Sequence, residues 1–302
     1  ADEYARTFLA LTPQVAVITN LDWDHVDIYP TQAEYDAAFR QFASQTTASG
    51  PPNSGPLPLI LCGDDAGVQR VLGALAATRC GLDAANAWRA TGLTPRDGGM
   101  AFTVERGGET LGDVWLGVAG EHNVRNALLA LAAADFYAIP FAEAAAALAQ
   151  YRGAARRFEA KGSLGGISVF DDYAHHPTEI RATLAAARGR FPGQRIVVYF
   201  QPHTYSRLHA FSSAFSAAFD LADVVRIGAV YAARESSADP DPTTQIVAAM
   251  RHPDVAAVGD LAGAFANLRT TLQPGDVLLT LGAGDGVQVG ERIIAALEQD
   301  LR

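Results

Sequence analysis

The chain has 302 residues, 49% hydrophobic and 19% charged, which is typical of a globular protein large enough for two domains. Its formal net charge of −10 argues against a nucleic-acid partner or an anionic-membrane surface, and no apolar run reaches the roughly 18 to 20 residues that span a bilayer. The two cysteines, Cys62 and Cys80, fit neither a disulfide framework nor a thiolate metal site. We therefore expect a cytoplasmic protein without membrane insertion.

The first half of the chain mixes strands and helices without a steady rhythm. Its apolar and amphipathic patterns predict strands at 15–19, 59–62, 100–105 and 112–118 and helices at 31–43, 66–77, 122–137 and 141–151. Residues 44–58 have no periodicity and predict a loop.

From about Arg156 the pattern becomes a regular alternation of strand and helix, which predicts a mostly parallel sheet with helices on both faces. Strands are predicted at 167–170, 196–200, 224–227, 255–258 and 277–281, and helices at 178–189, 208–221, 243–250, 261–272 and 291–301. An Ala-rich helix ends at a glycine near 153–156, and we place a domain boundary there, giving domains 1–155 and 156–302.

The most informative segment is VFDDYAHHPTE, residues 169–179, where an apolar strand ends and Pro177 suits the first turn of a helix. Ligands bind at such turns in parallel sheets. The turn presents acid, phenol and imidazole groups: Asp171, Asp172, Tyr173, His175 and His176. The simpler interpretation is a hydrophilic turn in which Asp172 or Thr178 caps the helix.

A second polar turn, TNLDWDHVD at residues 19–27, follows the strand at 15–19. Its carboxylates and His25 suit a hard divalent ion such as Mg²⁺ or Mn²⁺, although an ordinary polar turn explains the pattern equally well. Asn123 and Asn126, at the start of a helix, would share one face and could bind a nucleobase edge, or simply begin the helix.

Arginine and histidine side chains supply the candidate anion-binding groups. Arg156 and Arg157 are adjacent near the domain boundary and suit phosphate or carboxylate, with ordinary surface charge as the alternative. His203 and Arg207, in FQPHTYSR, follow the strand at 196–200 and should share an edge with the 169–179 turn, where Arg207 could hold a small carboxylate with His175 or His203 orienting it. The late GAGDG, residues 282–286, matches a dinucleotide loop only loosely, and we interpret it as a tight turn.

Taken together, these segments resemble the Mur ligase family, and most specifically its alanine-adding members. The matching stretches follow the family order over nearly the whole chain: ADEY, TNLDWDHVD, GEHNVRNALLALAAA, RRFE, DDYAHHPTE, QPHTYSR and GAGD. The resemblance implies the remainder of a central ATPase-type α/β domain, followed by a Rossmann-like C-terminal domain. It also implies an ATP- and Mg²⁺- (or Mn²⁺-) dependent ligase of peptidoglycan precursor synthesis, in which an acyl phosphate of UDP-N-acetylmuramate is attacked by L-alanine.

The resemblance further implies a role for individual residues. His25 matches a metal-binding histidine, Asn123 and Asn126 match the amides that bind adenine, and Arg157 matches a guanidinium that contacts the ATP phosphates. Asp172 matches the acid that bonds the ribose. Tyr173, His175, His203 and Arg207 match positions near the incoming alanine, with Arg207 as the candidate for its carboxylate.

Two features depart from the family pattern. No G-x-x-x-x-G-K-[ST] loop occurs in the sequence, and the N-terminal UDP-binding domain of the family has no counterpart. We therefore expect that the chain begins inside a domain, that a missing N-terminal segment of the same protein is its partner, and that these 302 residues are inactive alone.

Three alternatives remain open at this point. A murein tripeptide ligase of the same family shares the metal turn and the D-D-x-A-H-H-P turn, but QPHTYSR favours the alanine-adding member. A non-catalytic nucleotide-binding protein could have kept a ligase-derived scaffold. A metal-dependent hydrolase could use His25 with Asp24 and Asp27.

Overall fold

A computed structural model describes residues 3, 5–46, 58–236 and 242–300, and the chain divides into two compact units, Ala1–Arg152 and Gly153–Arg302. Most of the loop predicted at 44–58 lies outside the described residues. No helix in the described part of the chain is long and apolar enough to cross a membrane.

The first unit contains a single six-stranded sheet with helices packed on it. After a short 3-10 helix at Thr7–Ala10, its elements are β1 (Ala16–Ile18), α1 (Gln32–Ser44), β2 (Leu59–Cys62), α2 (Ala66–Leu72), β3 (Thr78–Gly81), β4 (Trp88–Arg96), β5 (Gly99–Arg106), β6 (Glu109–Leu116), α3 (Glu121–Phe136) and α4 (Phe141–Leu148). The strand order is β1-β2-β3-β4-β5-β6. Strands β1 to β4 run parallel, and β4, β5 and β6 form an antiparallel meander. Strand β1 is therefore an edge strand.

The apolar pattern of the first unit explains how its layers form. All four residues of β2 are buried, as expected for a strand covered on both faces. Helix α3 buries Val124, Leu128 and Leu131 against β2, β3 and β4. Helix α1 begins at the N-cap Thr31, whose hydroxyl accepts a 3.3 Å hydrogen bond from the Glu34 amide, which satisfies a helix-end donor.

The second unit alternates strands and helices around another six-stranded sheet. Its elements are β7 (Glu159–Leu164), β8 (Ile167–Asp172), α5 (Pro177–Arg190), β9 (Ile196–Phe200), α6 (Tyr205–Ala210), α7 (Ser212–Ser216), β10 (Val224–Gly228), α8 (Pro242–Ala249), β11 (Val255–Gly259), α9 (Leu261–Thr271), β12 (Val277–Leu281) and α10 (Val287–Asp300). The strand order is β11-β10-β9-β12-β8-β7, with only β7 antiparallel to its neighbour. Buried apolar clusters cover both faces of this sheet.

The α/β fold with mostly parallel sheets confirms the fold class predicted from sequence. The strands β2, β9 and β12 have the predicted bounds. Strands β3, β4 and β7 were not predicted. Strand β3, with the sequence TRCG, contains an arginine and a glycine in place of an apolar run, and β4 and β7 are largely exposed or half-buried and so lack a clear apolar period.

Four predicted helices differ in extent from those of the structure: α4 ends at Leu148 rather than at residue 151, α10 begins at Val287 rather than at residue 291, and two others differ more. The helix predicted at 66–77 ends at Leu72, with Gly73 as its C-cap. The helix predicted at 208–221 is two short helices, α6 and α7, because Phe211 between them leaves helical geometry with φ −111° and ψ 19°. The Phe211 ring packs edge-on against His176, with ring centroids 4.8 Å apart, so tertiary contact places the break.

The register of the second sheet aligns the ends of three strands. Asp172 at the end of β8 lies level with Leu281 of β12, and Leu281 lies level with Phe200 of β9. Because these strands are parallel, the three turns that follow them leave the sheet at the same edge.

Candidate functional site

The candidate site in the second unit is the carboxyl edge of β8, β12 and β9, here called the rim. It consists of residues 171–176, 201–207 and 282–286. Two backbone bonds extend the strand pairing into it: the Gly282 amide donates to the Asp172 carbonyl at 3.1 Å, and the Gln201 amide donates to the Leu281 carbonyl at 2.9 Å. The rim brings together the histidine, tyrosine, aspartate and arginine groups that the sequence predicted would share one edge.

Arg156 and Asp171 form the buried foundation of the rim. Asp171 is 1% exposed, and it accepts hydrogen bonds from Arg156 Nε at 2.9 Å and from the Thr280 hydroxyl at 2.7 Å. Arg156 also donates to the carbonyls of Gly282 at 2.6 Å and Gly284 at 3.2 Å. The guanidinium therefore joins β8 to the glycine-rich turn after β12, and its donors are directed at the protein.

Asp172 is buried, and both of its carboxylate oxygens accept backbone hydrogen bonds. The Phe158 amide donates at 2.9 Å and the Ala174 amide at 2.8 Å. Burial raises the pKa of Asp172 despite these amides, the nearby Arg157 charge and the Thr183 hydroxyl, which oppose the increase. Asp172 thus fixes the two segments on either side of it.

The turn does cap helix α5, but the predicted capping residues, Asp172 and Thr178, are wrong. His176 is the N-cap, and its imidazole accepts from the Thr178 amide at 3.4 Å. The Glu179 carboxylate completes a capping box by accepting from the amides of His175 at 3.0 Å and His176 at 3.2 Å. A histidine N-cap is uncommon, which is why the pattern of acids misled the sequence-based interpretation.

Glu179 is also the acid that faces the basic side chains of this turn. Its carboxylate lies 3.5 Å from His175 Nδ1 and 3.5 Å from an Arg157 guanidinium nitrogen. Burial acts to raise the pKa of Glu179, but His175, Arg157 and the backbone amides outweigh it, so the pKa is lowered. Arg157 itself is half-exposed and lies over the Tyr173 ring at 5.6 Å.

His175 is oriented by its own turn. Its Nδ1 lies 2.9 Å from the Tyr173 carbonyl oxygen, which can only accept, so this contact favours the tautomer with the proton on Nδ1. The other ring nitrogen, Nε2, then carries the lone pair. The Tyr173 ring meets the imidazole edge-on at 5.5 Å.

His203 and Arg207 lie on the neighbouring turn. Arg207 is 5% exposed, and one of its guanidinium nitrogens lies 3.0 Å from both His203 Nδ1 and the His203 carbonyl. The His203 ring centroid is 6.0 Å from that of His175. The rim thus places one cation and two imidazoles together, an arrangement that can hold and orient a small carboxylate.

The polar turn of the first unit follows β1 at residues 19–27. His25 adopts a left-handed conformation, with φ 51°, and its Nε2 lies 3.8 Å from an Asp24 oxygen. Glu3 accepts a 3.0 Å hydrogen bond from the Tyr35 hydroxyl, and burial raises its pKa even though Tyr35 and His25 oppose this. Within the described ranges, no group of three or more His, Cys, Asp or Glu side chains could hold a metal ion. The donors present do not by themselves fit Mg²⁺ or Mn²⁺.

Asn123 and Asn126 both lie in the first turns of α3, as expected from their spacing. The Asn123 side-chain amide donates to the Ala119 carbonyl at 2.7 Å, so it holds the loop before the helix. Asn126 is exposed. Of the two amides, Asn126 is the more accessible to a ligand.

The sequence analysis did not single out Asp64, which follows β2 in the first unit and accepts hydrogen bonds from groups distant in the sequence. Its carboxylate accepts from the Leu82 amide at 2.6 Å, Asn86 Nδ2 at 2.7 Å and Arg125 Nε at 2.9 Å. Burial opposes the effect, but these donors lower the pKa of Asp64. The signal was available, because Asp64 and Asp65 follow the buried strand β2 just as Asp171 and Asp172 end β8.

Two family models match the chain in order. The Mur ligase middle domain matches residues 2–134, and the model described as Mur ligase, glutamate ligase domain matches residues 156–284. A curated UDP-N-acetylmuramate--L-alanine ligase of Roseiflexus castenholzii is 50% identical over 99% of this chain and 65% of its own length. The chain thus spans about two thirds of the length of this relative.

Solved structures agree with these matches. A UDP-N-acetylmuramate-alanine ligase of Thermotoga maritima has a TM-score of 0.79 and 26% identity, covering 99% of this chain and 63% of that one. A MurF ligase of Thermotoga maritima in complex with ADP has a TM-score of 0.70 at 16% identity, covering 98% of this chain and 64% of that one, and shows the shared fold alone. Since the two models together match most of the residues, in the order of the two units, the chain belongs to the Mur ligase family.

Proposed function

We propose that the protein containing this chain is an ATP-dependent ligase that joins L-alanine to UDP-N-acetylmuramate in peptidoglycan precursor synthesis. The observation that carries this proposal is the 50% identity, over 99% of the chain, to a curated UDP-N-acetylmuramate--L-alanine ligase. The rim of the second unit supports it, because Arg207, His203 and His175 lie together where a small amino acid could bind.

In this proposal the rim binds the amino acid. Arg207 binds the carboxylate of L-alanine, because a guanidinium fixes a carboxylate through charge-assisted hydrogen bonds. Its existing bonds to His203 hold the guanidinium in place before the substrate arrives. Tyr173 and His175 lie on the adjacent turn and contact the amine side of the substrate.

The proposed chemistry proceeds through an acyl phosphate. The terminal phosphoryl group of ATP is transferred to the muramoyl carboxylate, and the amine of L-alanine attacks the carbonyl carbon and expels inorganic phosphate. The amine loses a proton as the amide forms, and Nε2 of His175 accepts it because Nδ1 is engaged by the Tyr173 carbonyl. Attack by the neutral amine thus leaves a neutral amide and a protonated imidazole.

We also propose nucleotide contacts for the residues of each unit taken by itself. Asn126, with Asn123 beside it, is proposed to bind adenine, Asp172 to bond the ribose and Arg157 to contact the phosphates. Arg157 is half-exposed and free of the buried network that occupies Arg156, so it is the better placed of the pair. A bound divalent ion would neutralise phosphate charge, with His25 as one donor. Such an ion would require ligands beyond the groups of the described residues.

The test is incorporation of labelled L-alanine by the full-length gene product. ATP- and UDP-N-acetylmuramate-dependent product is expected, and Arg207→Ala should reduce kcat/KM for L-alanine about 100-fold by removing the only charge assigned to its carboxylate. Arg181→Ala, at an exposed arginine of α5, is the matched control and should leave the rate unchanged. Equal rates in the two variants would contradict the assignment.

The same assay separates this function from its closest alternative. A murein tripeptide ligase would use the tripeptide in place of L-alanine. Preference for the tripeptide, or nucleotide binding without product formation, would overturn the proposed substrate. ATP-independent, metal-supported hydrolysis would instead indicate a hydrolase.

We further propose that these 302 residues do not turn over ATP by themselves. The sequence contains no G-x-x-x-x-G-K-[ST] loop, and its only lysine, Lys161, is engaged with Glu159 at 3.6 Å and Glu291 at 3.4 Å. ATP turnover by the isolated chain at the rate of the full-length protein would disprove this.

A further inference from the structure

The segment that follows β10, residues 229–236, contacts the His203–Arg207 turn along its length. The Tyr231 amide donates to the Pro202 carbonyl at 2.8 Å, and the Thr204 amide donates to the Tyr231 carbonyl at 3.0 Å. These bonds form a short parallel bridge between His203 and Tyr231. The conformation of the turn is therefore set by a segment that sequence analysis did not single out.

The Tyr231 side chain packs on the imidazole that touches Arg207. Its ring stacks on the His203 ring with centroids 5.7 Å apart and an interplanar angle of 16°. Because His203 Nδ1 lies 3.0 Å from the Arg207 guanidinium, any rotation of the His203 ring would change the hydrogen bonding of Arg207. Tyr231 blocks one face of the imidazole and so limits that rotation.

Tyr231 also lies against the glycine-rich turn after β12. A Cβ atom at Gly284 would lie 2.6 Å from Tyr231 Cγ and 2.5 Å from Gln201 Oε1, closer than real Cβ contacts allow. Gln201 in turn binds this turn through Asp285 at 2.7 Å and the Gly286 amide at 2.8 Å. Glycine at 284 thus permits the close approach that keeps Tyr231 against His203.

A second contact fixes the far end of the same turn. The Glu235 carboxylate accepts hydrogen bonds from the amide and the hydroxyl of Ser206, the residue before Arg207. Thr204 adopts a left-handed conformation, with φ 64°, which is unfavourable for a β-branched residue unless its surroundings impose it. Tyr231 and Glu235 supply those surroundings from one side.

We infer that Tyr231 and Glu235 are positioning residues for the amino-acid substrate, acting through His203 and Arg207. The inference rests on the proposed function, since it takes Arg207 as the ligand of the substrate carboxylate. A misplaced guanidinium would bind L-alanine less well, and the hydrogen bonds and ring stacking of Tyr231 and Glu235 described above are with the His203–Arg207 turn. Selectivity between the two substrates therefore distinguishes positioning from general destabilisation.

The experiment measures KM for L-alanine and for ATP in the full-length protein and in variants of Tyr231. Tyr231→Ala is expected to raise KM for L-alanine about threefold to tenfold, the range set by loss of a ring–ring contact, with KM for ATP within about twofold. Tyr231→Phe keeps the ring and should restore the wild-type value. Equal increases in both KM values, or no increase at all, would overturn the inference.

Two further variants test the neighbouring contacts. Gly284→Ala should raise KM for L-alanine in the same selective way by displacing Tyr231, whereas Gly189→Ala, where an added Cβ meets nothing within 4 Å, should not. Glu235→Gln should produce a smaller increase of the same kind. These variants decide the matter if Tyr231→Ala does not fold.

A readout independent of activity separates this inference from the proposed function. The ring-proton NMR signals of His203 should shift in Tyr231→Ala because the stacked ring is lost, and should stay near their wild-type positions in Tyr231→Phe. Absence of alanine incorporation by the wild-type protein would refute the proposed function, and with it a role in alanine binding. Unchanged His203 signals in Tyr231→Ala would refute the positioning itself, whatever the substrate.

Discussion

The polar turns after β1 and β8 have similar sequences but very different surroundings. Both place acids and histidine directly after an apolar strand, at residues 19–27 and 171–176. Strand β8 lies inside its sheet, and the turns after β12 and β9 leave the sheet at the same edge as the turn after β8. Among the described residues, β1 is an edge strand that pairs with β2. The turn after β8 is therefore contacted from one side by the glycine-rich turn after β12 and from the other by the segment that precedes β7, through Arg156 and Phe158.

The largest expected effect is on the buried foundation of the second-unit rim. Asp171→Ala should lower the free energy of unfolding by about 3 kcal/mol, because it leaves the Arg156 guanidinium without its buried carboxylate. Urea denaturation measures the change. Glu291→Ala, which removes an exposed ion pair with Lys161, should cost less than about 0.5 kcal/mol. Similar losses of unfolding free energy in both variants would mean that the Arg156–Asp171 pair stabilises the protein no more than an exposed ion pair does.

Asp64 tests whether a carboxylate hydrogen-bond network also stabilises the first unit. Asp64→Asn should cost about 2 kcal/mol, since the charged acceptor of the Leu82 amide, Asn86 and Arg125 is lost. The neighbouring exposed variant Asp83→Asn is the control, and its unfolding midpoint should match that of the wild type. If Asp64→Asn is equally neutral, the network contributes nothing measurable.

The stabilising effect of Glu179 in the second unit should depend on pH. Glu179→Gln should cost about 1 kcal/mol at pH 7, because the neutral amide can still accept in the capping box but the negative charge facing Arg157, His175 and the helix amides is lost. Because the folded-state pKa of Glu179 lies below the ordinary value of 4.5, its contribution is present above that pH and is lost as pH falls through the lower folded-state pKa. The stability difference between wild type and variant, measured by denaturation at stepped pH, should therefore shrink below about pH 4.5. A difference that grows on acidification would reverse the assigned sign.

The smallest effect is expected at the first-unit turn. His25→Ala should change the free energy of unfolding by about 0.5 kcal/mol, since the imidazole is partly exposed and lies 3.8 Å from an Asp24 oxygen. The same urea denaturation applies. A loss above about 2 kcal/mol would show that this turn is as firmly built as the rim.

Much of the fold could be predicted from sequence because its buried strands are continuous apolar runs, such as LILC in β2 and IVVYF in β9. Strand β7 could not, because it is a polar edge strand recognised only by its antiparallel pairing with β8. The break at Phe211 depends on a contact with His176, 35 positions away in the chain, which no local pattern contains.

The candidate site divides in the same way. The sequence alone shows which polar groups follow β8 and β9. The alternation of strands and helices predicts a parallel sheet, in which these groups lie at the same edge. The contacts of each group follow from the tertiary structure: Arg156 pairs with the buried Asp171, whereas Arg157 is half-exposed. Tyr231 packs on His203 from the segment after β10. Composition and period report which residues are buried, but hydrogen-bond partners distant in sequence are fixed by the register of the sheet.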